Sequence, residues 1–240
     1  MEREEYYKNI DRVYRLPRVW SNRELSKFAH LFKGSVANVS GWKDIDKEGK
    51  HYKDYFTNAS EYVITNYLSE VKGIQDADKE IFLDLTKPVP KELINRFDVV
   101  FNHTVLEHVY EVHQAFENIC LMTKDIAIIV VPFLQEMHAD YGDFWRFTPL
   151  TMDRLFNENA MEMMYCSFNS HENASVYLFC IATKNKNKWQ DIIPQSKSHI
   201  DPFKKGQHRN FVGCHAIRNP NTEGIIRKIL RKLKGALVRG

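Results

Sequence analysis

Between Gly34 and Lys184, short apolar runs alternate with polar or helix-patterned stretches. The runs Ser35–Val39, Glu61–Asn66, Ile81–Leu83, Asp98–Phe101 and Ile126–Val131 each read as a strand. Strands separated by helical segments imply right-handed βαβ crossovers and a mostly parallel sheet. The stretch AIIVV is apolar at every position, as expected of a central strand covered on both faces. Met163–Phe168 and Ser175–Thr183 are joined by the polar turn NSHEN, which reads as a hairpin and gives the sheet one antiparallel edge strand. Ahead of the strands, Ser21 and Glu24 have the spacing of a capping box. Leu25, Phe28, Ala29 and Phe32 then recur at helical intervals, and Gly34 ends the pattern. The fold class is α/β, a doubly wound and mostly parallel sheet.

The same pattern divides the chain. Residues 1–33 form an N-terminal helical segment and 34–184 the α/β domain. Residues 185–222 are a loop-rich extension broken by Pro194 and Pro202, with Trp189, Phe203 and Phe211 as anchors. Residues 223–240 are a basic amphipathic helix. On a wheel of ~100° per residue, Ile225, Ile226, Ile229, Leu230, Leu233, Ala236 and Leu237 fall on one side. Arg227, Lys228, Arg231, Lys232, Lys234 and Arg239 fall on the other.

Charge sharpens this division. The whole chain is +3, but from Lys184 onward 14 Lys/Arg face three acids, a net +11, which leaves −8 on Met1–Thr183. An acidic body argues against nucleic acid as partner, because phosphate contacts need basic residues there. The basic tail, residues 225–239, is expected to meet an anionic membrane surface. The longest apolar run, Ile126–Phe133, is too short to cross a bilayer, and the N-terminus is polar without a signal-peptide core. Cys120, Cys166, Cys180 and Cys214 show no CxxC spacing and read as free thiols. Together these lead us to expect a cytoplasmic protein, peripheral on the inner face of the membrane unless the apolar stripe of the tail packs on protein instead.

In an open parallel sheet, ligands bind beyond the C-terminal ends of the strands, where the strand order reverses. The segments that reach this edge are Ser40-Gly41-Trp42, Asn66-Tyr67, Asp84-Leu85, Asn102-His103-Thr104 and the region after Pro132.

The stretch FDVVFNHTVLEHV, followed by IAIIVVPF and YGDFWRFTP, resembles the class I S-adenosylmethionine-dependent methyltransferases, whose sheet is Rossmann-like. It is similar to the branch found in bacterial surface-polysaccharide biosynthesis, and the resemblance spans roughly residues 34–184. It implies S-adenosylmethionine as cofactor, held by Ser40, Gly41, Trp42, Asn66, Asp84, Asn102 and His103. It also implies O-methylation of a sugar or glycan intermediate. The chain departs from the family pattern at two places. Only Gly41 remains of the glycine-rich first loop, with Asn38 where an acid is common, and Asn66 stands where an acid usually grips the ribose.

A sugar hydroxyl needs help to lose its proton, and His108, His138 and Glu107 are the candidate catalytic groups. Glu107 and His108 also match the Glu-His pair that binds a divalent metal in similar ubiquinone-pathway methyltransferases, although Thr104 replaces the third ligand of that set. Asp143 and Arg146 are candidates for acceptor binding. The plainer alternatives are that Glu107 and His108 open a helix that covers the sheet, and that Asp143 and Arg146 form a loop latch with Trp145 packed on the core. Two other functions compete: a catalytically silent protein of this fold that binds a partner or nucleotide sugar, and a small-molecule or quinone O-methyltransferase.

Overall fold

Among the described residues, seven strands build one sheet: β1 (Gly34–Val39), β2 (Ala59–Asn66), β3 (Glu80–Phe82), β4 (Phe97–His103), β5 (Thr123–Leu134), β6 (Glu162–Phe168) and β7 (Val176–Thr183). Their order is β3-β2-β1-β4-β5-β7-β6. The computed structural model describes residues 11–67, 73–139, 142–171, 174–196 and 212–213. All pairs from β3 through β5 are parallel, while β7 runs antiparallel to both β5 and β6. The single antiparallel strand is thus inserted one place in from the edge, next to β6. Every residue of β7 is buried, and so is β5 from Ile126 to Pro132, which explains their unbroken apolar sequences.

Alternation along β5 separates two cores. Ala127, Ile129 and Val131 face helices α2 (Val112–Met122) and α3 (Pro149–Glu158), where Phe116 and Phe156 meet edge to face at 4.9 Å. Ile126, Ile128 and Val130 face the opposite layer, formed by α1 (Leu16–Phe28) and the aromatic side chains Tyr52, Tyr55 and Phe56. Thr148 caps α3 by accepting a hydrogen bond from the Thr151 N–H, and Pro149 occupies its first turn.

Helix α1 begins at Leu16, five residues before the capping box proposed from sequence. Ser21 lies inside it and donates its hydroxyl to the Arg18 carbonyl, while Glu24 accepts from Tyr165 Oη at 2.7 Å and Ser167 Oγ at 3.1 Å. Ser21 Oγ also meets His103 Nε2 at 2.8 Å, so both polar residues serve tertiary bonds, and both are buried. After β4 the chain makes only a short 3₁₀ turn, Leu106–His108, and α2 starts four residues later at Val112. Glu107 and His108 therefore do not open the long helix.

Beyond β7, the short helix α4 (Lys186–Trp189) buries Trp189, whose indole N–H donates to Asp125 at 3.0 Å. Cys120, Cys166 and Cys180 are buried, and the Cys180 thiol donates to Cys166 Sγ at 3.6 Å. Among the described residues no helix is long and apolar enough to cross a membrane. The expected basic helix over 223–240, together with Phe203, Phe211 and Cys214, lies outside the described residues.

Candidate active site

The strand order reverses between β1 and β4, where Val39 pairs with Asn102. A cavity of about 650 Å³ opens above these strand ends, within the usual size of a small-molecule site. Ser40, Gly41, Trp42, Asp84, His103 and His108 line it, all of them site residues expected from the sequence. Its walls also include Arg18, Tyr52, Tyr67, Tyr110 and Phe144.

The loop after β1 forms the floor under strain. Ser40, Trp42 and Asp44 have φ values of 56°, 48° and 56°, in the left-handed region that non-glycine residues avoid at about 1 kcal/mol or more each. Side chains from neighbouring elements hold them there. Asn66 Oδ1 accepts from the Trp42 N–H at 2.8 Å, and its Nδ2 donates to the Trp42 carbonyl at 3.2 Å and to Glu80 Oε2 at 2.6 Å. Asn38 Nδ2 donates to Asp44 Oδ1 at 2.7 Å, and the Tyr62 hydroxyl donates to the same oxygen at 2.6 Å. A Cβ on Gly41 would lie 2.5 Å from Asn38 Nδ2, so glycine here makes room for that amide.

Asn66 and Asn102 are 1% and 0% exposed and lie beneath the cavity rather than on its wall. Asn102 Nδ2 donates to the Val39 carbonyl at 3.0 Å and ties β4 to the end of β1. Asp84 does reach the cavity. Its Oδ1 accepts from Thr86 N and Thr86 Oγ1, and Oδ2 has no hydrogen-bond partner among the described residues.

His103 is a neutral, oriented ring. Ser21 Oγ spends its proton on the Arg18 carbonyl, so His103 Nε2–H donates to Ser21 Oγ at 2.8 Å, and Nδ1 accepts from Thr104 Oγ1 at 3.2 Å. Burial, with the Arg18 charge nearby, pushes its pKa down to about 3.

Glu107, His108 and His138 are brought together, with one ligand-capable atom of each within 4.8 Å of the others. Glu107 is fully buried, and among the described residues neither carboxylate oxygen has a hydrogen-bond partner. Burial raises its pKa to about 7, although its own backbone N–H, Arg18 and Arg146 pull the other way. His108 Nδ1 donates to the Gly142 carbonyl at 2.6 Å, and its Nε2 lies 3.8 Å from Glu107 Oε1. The His138 ring meets His108 at 5.1 Å between centroids, and burial lowers its pKa. Of the three, only His108 lines the cavity.

Asp143 and Arg146 form a latch. The guanidinium donates to both Asp143 oxygens, at 2.6 and 2.8 Å, and to the carbonyls of Gln135, Glu136 and Trp145. These hydrogen bonds hold the Asp143 carboxyl at a pKa of about 2. Neither residue lines the cavity, and the donors of Arg146 are used within its own loop. The latch fixes the segment after β5 so that Phe144 N–H reaches the Glu107 carbonyl at 2.7 Å. Trp145 packs against the core and donates its indole N–H to the Tyr110 carbonyl at 3.2 Å.

Arg18 is the functional candidate that sequence reasoning missed. It belongs to α1, before the first strand, where no strand-end rule looks, and yet it lines the cavity. Burial pulls its pKa down, but Tyr177, Glu107 and Tyr52 more than offset this, so it remains a cation. Tyr110 and Phe144 were also missed. Their signal is burial contradicted by type: both are large aromatics left 66% and 51% exposed, in edge-to-face contact at 5.4 Å.

No protein-family model matches the chain, and no curated protein matches it in sequence. Solved structures do match in shape. A candidate methyltransferase of Bacillus halodurans is 11% identical, with 68% of this chain and 97% of that one covered at a TM-score of 0.51. An S-adenosylmethionine-dependent methyltransferase of Clostridium acetobutylicum is 7% identical, with coverage of 75% and 98% and a TM-score of 0.51. The CMeT domain of the citrinin polyketide synthase is 9% identical, with coverage of 76% and 56% and a TM-score of 0.52. This chain therefore has the class I methyltransferase fold, the doubly wound architecture expected from its sequence.

Proposed function

We propose that the protein is an S-adenosylmethionine-dependent methyltransferase whose acceptor is a hydroxyl of a sugar or glycan intermediate of surface-polysaccharide biosynthesis. The observation that carries this reading is the 650 Å³ cavity at the β1/β4 switch point, floored by a strained backbone loop. The cavity residues fit the cofactor. Ser40–Trp42 offer a bent main chain, Asp84 a carboxylate oxygen without a partner among the described residues, and Leu83, Leu85 and Tyr67 apolar surface. When bound, the cofactor supplies an electrophilic methyl group on a sulfonium.

The chain's own residues orient and desolvate. Neutral His103 adds no positive charge beside a cationic ligand. Tyr110 and Phe144 present ring faces to the apolar side of an acceptor, and Arg18 presents a cation to its oxygens. His108, with the Glu107–His138 pair behind it, forms the polar wall against which an acceptor is oriented. Proximity and water exclusion provide the larger part of the acceleration. The basic segment 225–239 would bring the domain to an anionic membrane surface, a proposal that rests on its sequence pattern.

A second reading is favoured by Asn66, whose amide is fully used beneath the loop, so that no acid stands at the end of β2. It is a catalytically silent protein that uses the cavity to bind a nucleotide sugar or partner. Calorimetry with S-adenosylmethionine and S-adenosylhomocysteine separates the two. Micromolar binding followed by transfer of labelled methyl to nucleotide sugars or lipid-linked glycans supports the enzyme. Transfer to quinol precursors instead would reassign the acceptor. Binding of nucleotide sugar without either cofactor form would establish the silent protein.

A further inference from the structure

The strongest unexplained feature of the molecule is the buried carboxylate of Glu107. It is 0% exposed, and among the described residues neither of its oxygens has a hydrogen-bond partner, nor does either ring nitrogen of His138. Leaving such a group unmatched costs several kcal/mol of desolvation. Each of the two histidines beside it has an oxygen near its far ring nitrogen, hydrogen-bonded in His108 and in ion-pair contact in His138. His108 Nδ1–H is committed to the Gly142 carbonyl, so in the neutral ring Nε2 is an acceptor. His138 Nδ1 lies 3.2 Å from Asp143 Oδ2, an ion-pair contact that turns Nε2 to the other side of the ring. A carboxylate or carbonyl behind each imidazole is the arrangement that orients metal-binding histidines. One ligand-capable atom from each of Glu107, His108 and His138 then converges within 4.8 Å.

We propose that Glu107, His108 and His138 bind a first-row divalent cation of the zinc type, which fastens the segment after β5 to the cavity wall. The His₂–carboxylate set suits Zn²⁺, Co²⁺ or Fe²⁺ rather than Mg²⁺ or Ca²⁺, which prefer oxygen ligands. Bonds of about 2.1 Å at tetrahedral angles set ligand atoms about 3.4 Å apart, so the cluster needs only a modest contraction by side-chain rotation. Formal charge does not oppose it. Glu107 and Asp143 offset Arg18 and Arg146, and neither guanidinium hydrogen-bonds Glu107. Glu107 and His108 follow β4, whereas His138 follows β5 and is held by the Asp143–Arg146 latch. The ion therefore joins two strand-end segments and fixes His108, the one ligand that reaches the cavity. A single proton on Glu107 is the competing occupant, and it can bridge only one pair of the three groups.

The test uses untagged full-length protein stripped with a chelator and then titrated with Co²⁺ and Zn²⁺. We expect one equivalent of each to bind at micromolar affinity or tighter, with the intense visible bands of low-coordinate Co²⁺ and a rise in melting temperature. Glu107→Gln and His138→Ala should each weaken binding at least 100-fold, whereas His113→Ala, on the exposed face of α2, should not. If either site variant fails to fold, the wild-type titration decides: no stoichiometric Co²⁺ spectrum overturns the inference. Retained binding in folded Glu107→Gln and His138→Ala would also overturn it. Calorimetry with S-adenosylhomocysteine on the same samples keeps the readings apart, because ion binding without cofactor binding would sink only the methyltransferase, and the reverse only the ion.

Discussion

The side-chain amide of Asn66 brackets the backbone of Trp42, accepting from its N–H at 2.8 Å and donating to its carbonyl at 3.2 Å. One side chain thus holds a left-handed residue in the loop that floors the cavity. Asn66→Ala removes both bonds and one to Glu80, and should cost about 2–3 kcal/mol. We expect S-adenosylhomocysteine to bind at least tenfold more weakly. Asn66→Asp restores the acid of the family pattern, yet it would set a second carboxylate against Glu80 Oε2, which the amide contacts at 2.6 Å. It should destabilise as well. Urea denaturation and calorimetry check both variants, and tighter cofactor binding by a fully stable Asn66→Asp would make Asn66 a ribose ligand instead.

This pair marks the limit of what could be read in the sequence. Strands announce themselves because burial on both faces of β5 and β7 demands continuous apolar residues, and the loops after them are located by topology alone. The role of a polar residue at a strand end depends on which way its side chain turns, and that is set by partners far off in sequence. Asn66 and Asn102 turn beneath the floor, while Asp84 and His108 turn to the cavity. Ser21 and Glu24 fit a local capping rule and are used for tertiary bonds, to His103 and Tyr165. Glu107, His108 and His138 do meet, but the latch that brings His138 home was legible only as an alternative to acceptor binding. Arg18 carried no local signal.

The latch should behave as structure. Asp143→Ala leaves Arg146 without its buried carboxylate partner, which is 0% exposed along its side chain. A loss of about 2–4 kcal/mol is expected. Cofactor affinity should hold within a few-fold, because neither residue lines the cavity. A variant of wild-type stability that has lost only acceptor affinity would return Asp143 to the acceptor pocket.

His108→Ala should separate chemistry from cofactor binding. The ring lines the cavity while its Nδ1–H is fixed on Gly142. We expect kcat to fall at least 100-fold with little change in cofactor affinity, measured by transfer of labelled methyl and by calorimetry. A rise in acceptor KM alone would make His108 a positioning residue. Unchanged kinetics would remove it from the reaction.

The basic segment 225–239 lies outside the described residues, and its expected behaviour follows from sequence. Six cations on one side of the helical pattern each contribute about 1 kcal/mol near an anionic surface. Full-length protein should pellet with anionic vesicles in low salt and be released by high salt, whereas a chain truncated after Asn221 should stay in solution. Equal pelleting by both chains would take the membrane out of this account.

His103 should give the fold a measurable acid sensitivity. Its pKa in the folded protein is about 3, below the ordinary 6.5, because burial and the Arg18 charge disfavour the imidazolium. Between these two values the unfolded chain binds one more proton than the native state, so stability rises with pH. The contribution is complete above pH ~6.5 and is lost as pH falls toward ~3, at about 1.4 kcal/mol per pH unit. At pH 5 that amounts to about 2 kcal/mol. His103→Gln keeps a donor for Ser21 but cannot take up a proton. Other groups titrate in both proteins, so their slopes cancel in the difference. The variant is expected to be less stable than wild type at pH 7, where the ring packs against Tyr52 and Phe101, with the gap narrowing by about 2 kcal/mol at pH 5. Urea denaturation at pH 7, 6 and 5 reads the gap directly. A gap that stays constant would mean that His103 titrates normally in the folded protein and that the cavity wall at Ser21 admits a charged ring.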